Sequence, residues 1–465
     1  MLHANRLFPA EPSIRNLAVK LYESVRNLPI VSPHGHTDPR WFAENKPFPD
    51  PAELFIQPDH YIFRMLYSQG VSLESLGIAQ ADGKESADPR QVWKIFASYY
   101  YLFRGTPTRL WLDFAFQELF GLTERLCTGN ADEYYDIISA KLKTPDFLPR
   151  ALFERFKIEV LATTDAAVDS LEFHKAIKSS GWAGRVIPTF RPDAVVDPEY
   201  SNFQQNLKDL EEVSGIDISS WKGYLNALRS RRAFFKANGA TASDHGHPTV
   251  LTADLPFSEA ERLYQRVFTG RTQPGDNEMF RAQMLTEMAG MSVEDGLVMQ
   301  IHPGAVRNYN KHVYEKFGRD KGADVPSPTE YVRALHPLLS KYGNDPNLTV
   351  ILFTLDESTF SRELAPLAGH FPALRLGPPW WFHDSPEGMM RFRETVTETA
   401  GFYNTVGFND DTRAFLSIPA RHDVARRIDC AFLARLVTEH RLDEAEAFEV
   451  IQDLTVNLVR KAYKL

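Results

Sequence analysis

Short apolar runs alternate with helical segments along most of the chain, and this alternation constrains the fold more than any other feature. Eight runs rich in β-forming residues are bounded by turn residues: 29–33, 158–163, 186–190, 240–244, 297–302, 349–354, 373–377 and 405–409. Segments with a helical pattern lie between most of them: 168–180, 201–235, 258–293, 328–342, 358–370 and 386–401. Strands that alternate with helices form parallel sheets through right-handed crossovers. The pattern therefore predicts an α/β protein whose eight strands close into a (β/α)8 barrel.

The connection after the first run is much longer than the others. Between His34 and Lys157 the sequence has helical stretches at 59–69, 90–104, 108–120 and 131–142, and no clear strand. Insertions after barrel strands lie at the catalytic end of the barrel. We therefore expect residues 45–157 to form a helical insertion over that face of a single domain, 1–465. The C-terminal stretch 421–464 also has an amphipathic helical pattern.

Charge and cysteine content exclude several classes of protein. The chain has 465 residues, with 52 Lys+Arg against 61 Asp+Glu, and this formal net charge of −9 argues against a nucleic-acid partner. Two cysteines exclude a disulfide scaffold and favour a reducing compartment. The first residues lack the apolar region of a signal peptide, and the apolar runs are far shorter than the ~20 residues that span a bilayer. We therefore expect a cytoplasmic protein without membrane contact.

The most informative local motif is His34-Gly35-His36, directly after the first run. Histidines two residues apart share one face only on an extended backbone, because side chains there alternate with a period of two. Neutral imidazole is a ligand for zinc, manganese, cobalt and similar metals. The motif therefore predicts a metal site at the carboxyl end of the first strand, with exposed or helix-capping histidines as the alternative.

A third ligand must come from another part of the chain. Asp410 and Asp411 follow the eighth run, and the first and eighth strands of a closed barrel are neighbours. An aspartate there would complete a His-His-Asp set with an open position for substrate, or would act as a base. The alternative is a helix N-cap before Ala414, a role that aspartate fills well.

Other histidines compete for the metal or for the substrate. A second His-X-His pair, His245 and His247, follows the weak fourth run, although Gly246 and Pro248 also mark an ordinary turn. His302 ends the fifth run, where it would ligate the metal, contact substrate or serve as a strand-end histidine.

Cationic side chains also follow several of the predicted strands: Arg191, Arg307, Arg413 and Arg421. Arginine presents a planar fork that matches carboxylate or phosphate, although a single surface arginine is more often one member of an ion pair. No glycine-rich phosphate-binding motif accompanies them. The sequence therefore favours a small carboxylated substrate over a nucleotide.

Aromatic residues occur at two further positions near the predicted catalytic end. Trp380, Trp381 and Phe382 follow the seventh run, where they would wall a pocket, stack on a sugar or pack under the loops. His60 and Tyr61 begin a helix of the insertion. A tyrosine there would shuttle a proton or serve as a structural hydroxyl.

These motifs belong to segments that follow one another in a fixed order through nearly the whole chain. The segments are SPHGHTDPRWF (32–42), DHYIFRMLYSQGV (59–71), LATTDAAVDSLEFH (161–174), VIPTFRPD (186–193), SDHG (243–246), MQIHPGAVRNYN (299–310), PPWWFHDSPEGM (378–389) and DDTRAFLSIPARHDVARRI (410–428). The ordered set resembles the uronate isomerase (glucuronate isomerase) family of the amidohydrolase superfamily.

The resemblance implies a distorted (β/α)8 TIM-type barrel with one divalent metal ion, commonly zinc, with manganese or cobalt as alternatives. By matching position it implies three metal ligands: His34, His36 and Asp411. It implies three substrate contacts: His60, Arg191 and Trp381, to which we add His302. Tyr61 and Arg413 would assist proton movement, with Asp411 as the base.

The implied reaction interconverts D-glucuronate and D-fructuronate, and often D-galacturonate and D-tagaturonate. A proton would move between C2 and C1 through a cis-enediol. Two alternatives remain open from the residues alone: a metal-dependent hydrolase, such as a lactonase or amidase, on the same barrel, and a non-catalytic sugar-acid-binding protein. We expect a small-molecule uronate as the partner and a homo-oligomer as the assembly.

Overall fold

Parallel pairing between short, buried strands organises the chain. The computed structural model describes residues 2–83 and 87–465. The strands are β1 (Ile30–Ser32), β2 (Ile158–Ala162), β3 (Asp165–Ala166), β4 (Arg185–Ile187), β5 (Phe190–Arg191), β6 (Ala242–His245), β7 (Val298–Ile301), β8 (Ala305–Val306), β9 (Val325–Pro326), β10 (Val350–Leu352) and β11 (Leu374–Leu376). One sheet has the order β1-β2-β4 and a second has the order β11-β10-β7-β6-β5-β3, with parallel pairing throughout both. β8 and β9 form a small antiparallel hairpin.

The two parallel sheets adjoin because two extended runs of the chain contribute a strand to each of them. One run is divided into β2 and β3, and the other into β4 and β5. Pro188 separates β4 from β5, and it has no N–H to donate to a ladder. Across this gap the Thr163 N–H donates to the Ile187 carbonyl (2.9 Å) and the Asp165 N–H to the Thr189 carbonyl (3.0 Å). The predicted run 186–190 is therefore present as two short strands in register with two partners.

Helices connect and cover the strands. The α-helices are α1 (Pro12–Val25), α2 (Pro39–Glu44), α3 (Pro51–Phe55), α4 (His60–Tyr67), α5 (Pro89–Tyr99), α6 (Pro107–Phe114), α7 (Ala131–Leu142), α8 (Pro149–Arg155), α9 (Glu172–Ser179), α10 (Asp193–Val196), α11 (Phe203–Ser214), α12 (Trp221–Ala237), α13 (Phe257–Phe268), α14 (Asp276–Asp295), α15 (Lys311–Phe317), α16 (His336–Tyr342), α17 (Ala365–Ala368), α18 (Pro386–Ala400), α19 (Ile418–Thr438), α20 (Glu444–Gln452) and α21 (Leu458–Tyr463). Short 3₁₀ or π segments add 74–76, 100–103, 115–119, 128–130, 145–147, 360–364, 381–383, 415–417 and 453–457. None of the described helices is long and apolar enough to cross a membrane.

The chain between β1 and β2 is helical in its described part, and it contains α2 to α8. Several of these helices begin with an aspartate cap followed by proline, as at Asp38-Pro39, Asp50-Pro51 and Asp88-Pro89. The carboxylate accepts a free backbone N–H of the first turn, and proline fits there because its missing N–H would have had no partner. The predicted range 45–157 also includes residues 84–86, which lie outside the described residues.

Side chains on the two faces of the strands enter different cores. Val31, Val160, Ala242, Val298 and Ile351 pack together in one cluster with residues of α21. Residues at alternate positions of the strands pack against the surrounding helices in a second cluster, which includes Met299, Ile301, Val350, Leu352 and Leu374. This alternation is the period of two that parallel strands impose, and it confirms the predicted parallel α/β fold.

Two predicted elements are wrong. The run 405–409 contributes a single parallel bridge, between Thr405 and Leu376, because Gly407 has a φ of +79° and interrupts the extended backbone. The predicted helix 328–342 begins at His336. Before it, the Thr329 N–H donates to Asp356 (3.2 Å) and the Tyr331 N–H to Glu363 (2.6 Å), so distant side chains occupy these backbone donors.

Two other predicted helices, 201–235 and 258–293, are each divided in two by a loop. Glycine stands at the break in both cases. Gly215 ends α11 with a φ of +65°, and Gly275 precedes α14 with a φ of +87°. Residues without a Cβ adopt this left-handed conformation at little cost.

Candidate active site

A cavity of about 320 Å³ opens at the carboxyl ends of the parallel strands. It is lined by the residues that the family resemblance implies as metal ligands, substrate contacts or proton-transfer groups, together with His302: His34, His36, His60, Tyr61, Arg191, His302, Trp381, Asp411 and Arg413. The competing candidates His245 and His247 do not line it. His34 and His36 follow β1, Arg191 ends β5, His302 follows β7 and Trp381 follows β11. Ligands bind at this end of parallel strands because the connecting loops converge there.

His34, His36 and Asp411 form a compact triad. One donor atom from each lies within 4.8 Å of the others, and both Nε2 atoms approach the same carboxylate oxygen, at 3.4 Å from His34 and 3.2 Å from His36. That oxygen, Asp411 Oδ1, is buried and makes no hydrogen bond with good geometry to any described residue. Two imidazole nitrogens and a carboxylate oxygen that converge without bonding one another fit a divalent cation, zinc included.

The backbone brings Asp411 to the histidines by an uncommon conformation. The His36 N–H donates to the carbonyl of Thr412 (3.0 Å), which ties the chain after residue 409 to the segment after β1. Asp411 has a φ of +38° and Trp381 a φ of +52°. A non-glycine residue in this region costs on the order of 1–3 kcal/mol and is frequent at functional sites. The helix-cap alternative does not describe this loop, since the Ala414 N–H donates to the Thr412 hydroxyl (2.9 Å) and Asp410 faces His422 (3.0 Å).

Charges around the triad keep Asp411 ionised. Burial alone would raise the pKa of its carboxyl, but the two imidazoles beside it lower that pKa well below the usual range. Burial lowers the pKa of His36, which keeps it in the neutral form that binds metals. The Asp411 carboxylate is thus available either as a ligand or as a base.

Asp244, which sequence reasoning passed over, connects three of the predicted residues. It is fully buried at the end of β6, and its Oδ1 lies 2.8 Å from His302 Nε2 and 3.9 Å from His34 Nδ1. Its Oδ2 lies 3.4 Å from the Arg191 guanidinium. Burial opposes the charge of Asp244, but His302, His34 and Arg191 lower its pKa. The acidic residue of SDHG is the signal in the sequence, but the prediction of a metal site rested on the histidines beside it.

His60 and Tyr61 enter the cavity from the start of α4. The carboxylate of Asp59 caps this helix and accepts the Tyr61 N–H (2.8 Å), which fixes both side chains at its first turn. Burial, with Arg413 and Arg64 nearby, lowers the pKa of His60 to about 3, so this imidazole is neutral. Burial raises the pKa of Tyr61 well above its usual value, so its hydroxyl keeps its proton. The His60 ring lies 5.9 Å from that of Trp381.

The arginines around the cavity are held by carboxylates. Arg191 Nε donates to Asp193 (2.8 Å), Arg307 donates to Asp324 (2.7 Å) and Arg413 lies 3.5 Å from Asp320. Arg307 also lies over the Trp381 ring, at 5.0 Å from its centroid. Each carboxylate fixes the direction of its guanidinium group at the cavity. The carboxylates also reduce the electrostatic repulsion between the neighbouring arginines.

Arg421 differs from the other arginines of this group. It is buried beneath Tyr61, with its guanidinium bonded to Asp384 and 3.6 Å from the centroid of Trp111. Its place at the predicted rim is therefore wrong: it belongs to the packing under α4. Trp380 also differs from its neighbour Trp381, because its indole N–H donates to the Thr354 carbonyl in the core (3.2 Å).

The fold and this site together define the class of the protein: a parallel α/β protein with a polar cavity at the carboxyl ends of its strands and a His-His-Asp group that could hold a metal ion. Residues 13–463 match the family model described as glucuronate isomerase. A uronate isomerase of Rhizorhabdus wittichii is 62% identical over 464 residues, which cover 100% of this chain and 98% of that protein.

Solved structures agree. A glucuronate isomerase from Caulobacter crescentus is 62% identical, with a TM-score of 0.99 over 100% of this chain and 97% of the other. A uronate isomerase from Thermotoga maritima is 28% identical, with a TM-score of 0.92 over 100% and 99%. The chain belongs to the glucuronate isomerase family. The family resemblance and the isomerase function predicted from the sequence are confirmed, in preference to a hydrolase or a non-catalytic binder.

Proposed function

We propose that this chain interconverts D-glucuronate and D-fructuronate, and D-galacturonate and D-tagaturonate, by moving a proton between C2 and C1 through a cis-enediol. One observation carries the proposal. A single cavity combines a metal-binding triad, a protonated tyrosine and several oriented arginines. Aldose–ketose isomerisation needs a base at carbon, stabilisation of a developing oxyanion, and an anchor for the remote carboxylate.

His34, His36 and Asp411 would hold one divalent ion, with zinc first and manganese or cobalt as alternatives. When bound, such an ion supplies Lewis-acid polarisation of a substrate oxygen. The unpartnered, buried Oδ1 of Asp411 supports this assignment.

The proton transfer is assigned to side chains near the triad. Asp411 is ionised and acts as the base toward the substrate carbon, as the direction of its pKa allows. Tyr61 keeps its proton, so its hydroxyl donates a hydrogen bond to the enediolate oxygen as charge develops there. Arg413, on the same side of the cavity, adds a permanent positive charge beside that oxygen.

The rest of the cavity would bind and orient the sugar acid. Arg191 presents its fork to the substrate carboxylate, while Asp193 and Asp244 fix its direction. His60 is neutral and exchanges hydrogen bonds with hydroxyl groups. Trp381 lies beside it as an apolar wall, and His302 would contact the substrate from the carboxyl end of β7. Holding the remote carboxylate uses binding energy to place the reacting carbons.

We also propose the finer architecture that the sequence predicts, a distorted barrel in one 1–465 domain with residues 45–157 over its catalytic face. The Leu376–Thr405 bridge and the His36–Thr412 hydrogen bond support closure, because they link the last extended segment to both of its would-be neighbours. His60 and Tyr61 support the insertion, because they reach the cavity from the helical segment. A homo-oligomer and a cytoplasmic location stay predictions from the sequence.

An NMR time course in heavy water tests the reaction directly. Purified protein with D-glucuronate, or separately with D-galacturonate, is expected to yield the 2-keto uronate with deuterium at carbon and no other change in mass. Chelation should abolish the signal, and added zinc or manganese should restore it. No conversion of either sugar acid by folded, metal-loaded protein would refute the proposal, and a screen of lactones and amides would follow.

A further inference from the structure

A second group of metal-ligand side chains lies beside the cavity, and one of its members, Asp193, also lines it. Asp193, His245 and His247 are all buried, and one donor atom from each lies within 4.8 Å of the others. His247 Nε2 is 3.8 Å from Asp193 Oδ1. β5 and β6 pair side by side, at Phe190 and Ser243, and this pairing brings the aspartate after one strand to the histidines at the end of the other.

This cluster repeats the composition of the catalytic triad. Each has two histidines separated by one glycine at a strand end, and each is completed by an aspartate from another strand end. The ring centroids are 5.5 Å apart for His34 and His36 and 6.2 Å apart for His245 and His247. A backbone that is extended at both histidines places their rings on the same side.

Three of the four histidine ring nitrogens of the second cluster lack partners among the described residues, and the fourth, His245 Nε2, bonds the Ser243 hydroxyl (3.2 Å). His247 is 2% exposed, and neither of its ring nitrogens has a hydrogen-bond partner among the described residues. His245 Nδ1 is buried and unpartnered in the same part of the chain. A buried polar group without a partner is destabilising, so several in one place call for a ligand that satisfies them together.

We propose that Asp193, His245 and His247 form a second divalent-cation site, suited to zinc, that is distinct from the catalytic triad. Zinc binds imidazole nitrogen at about 2.0–2.1 Å and carboxylate oxygen at about 2.0–2.2 Å, which places tetrahedral donors roughly 3.3–3.5 Å apart. The donors present need to move inward by about 1 Å to reach this spacing. With three protein ligands, the site leaves one coordination position of zinc open, and Asp193 lines the cavity.

The position of the site gives it a consequence for substrate binding. Asp193 also accepts from Arg191 Nε (2.8 Å) and from the Gly246 N–H (3.2 Å). A Cβ at Gly246 would come within 2.4 Å of the Arg191 guanidinium and 2.7 Å of His302, so the backbone of the second cluster packs directly against both side chains. A cation at Asp193 would therefore fix the loop that orients Arg191, in the way that outer groups position a ligand.

Metal counting on the intact protein tests the site without reference to activity. Protein is loaded with zinc, freed of loose metal on a weak chelating resin, and assayed by mass spectrometry for zinc per chain. The wild type is expected to retain about two ions, and His247→Gln about one. His34→Asn, which disables the catalytic triad, is also expected to retain about one. His312→Gln, at an exposed histidine on α15, is the matched control and should retain about two.

Two results would overturn the proposal: a single ion in the wild type, or no loss of zinc in folded His247→Gln. If His247→Gln does not fold, the His34→Asn/His36→Asn variant decides the question with cobalt in place of zinc. Absorption bands of protein-bound cobalt are expected in that variant, because the second cluster is the one metal-ligand group that remains among residues 2–83 and 87–465. Their absence would refute the site, while failure of the uronate assay alone would leave the metal count unchanged.

Discussion

Arg421 offers a sharp test of how buried charge supports the active-site wall. Its side chain is 1% exposed and that of its partner Asp384 3% exposed. The guanidinium also donates to the Ser417 hydroxyl (3.1 Å) and stacks on Trp111, beside Tyr61. Arg421→Met keeps the length and apolar volume of the side chain but leaves the Asp384 carboxylate buried and without its cation.

The expected cost follows from that unpaired carboxylate. Removing one partner of a buried ion pair destabilises a protein by about 3–5 kcal/mol. Unfolding entropy of about 2.1 cal/mol/K per residue gives roughly 1 kcal/mol/K for 465 residues, so Tm should fall by about 3–5 °C. Arg421→Met combined with Asp384→Leu removes both charges, and such replacements are often neutral or stabilising. The double variant should therefore regain most of the loss.

The loss should also depend on pH. Burial raises the pKa of Asp384 to about 7, with Arg421 opposing that rise, and removal of Arg421 raises it further. A carboxyl whose folded pKa lies above its unfolded value loses stabilising free energy as pH rises through that interval. The single variant should thus be closer to the wild type at about pH 5 than at about pH 8.

Thermal unfolding followed by circular dichroism at both pH values measures these differences, with excess chelator in every sample so that metal release does not contribute. A single variant with the wild-type Tm at the higher pH would refute the reasoning. A double variant as unstable as the single would do the same, because the penalty would then come from lost packing.

Substitutions in and near the cavity separate the other proposed roles. Asp411→Asn should lower kcat by about 10²–10⁴-fold with the secondary structure intact, the usual contribution of a general base, and near-normal turnover would remove it from that role. Arg191→Met removes a charged hydrogen-bond donor worth about 1.5–3 kcal/mol and should raise KM about 10–150-fold. The control variant Arg333→Met, at an exposed arginine, should leave KM unchanged. A lower kcat at unchanged KM in Arg191→Met would contradict the role of Arg191 as the carboxylate anchor. Burial raises the pKa of Asp165 to about 7. The contribution of this group to the free energy of unfolding therefore falls as pH rises from about 4 to about 7, by at most about 4 kcal/mol. In urea titrations Asp165→Asn should therefore weaken the pH dependence of the unfolding free energy, and an unchanged dependence would rule out this carboxyl as its source.

The sequence predicted the strands that are apolar enough to be buried on both faces. Residues 158–163 and 297–302 correspond closely to β2 and β7. The weak run at 240–244 became β6 although Ser243 and Asp244 are polar, because pairing with β5 and β7 and contacts from His302 and Arg191 satisfy it. The last run was misjudged because only the observed backbone shows that Gly407 leaves the extended region.

The site was partly predictable for a similar reason. The two-residue spacing of His34 and His36 predicts that both side chains lie on the same face of an extended backbone. The family resemblance identified Asp411 as the third ligand. Asp244 and Asp193 lie beside histidines and an arginine that are far away in sequence or on a neighbouring strand, and no local spacing encodes such proximity. Arg421 was placed at the rim because its segment follows the last strand, but the start of α19 lies beneath Trp111.

The separation of the triad along the chain has a consequence for the order of events during synthesis. His34 and His36 leave the ribosome with the first strand, whereas Asp411 follows after most of the 465 residues have been made. At roughly 5–20 residues per second, about 20–75 s pass between the second histidine and the aspartate. Before Asp411 is made, the proposed metal triad offers only its two imidazole nitrogens, a chelate of low affinity. Stable loading of that proposed site would therefore wait until the polypeptide is nearly complete, late in biosynthesis.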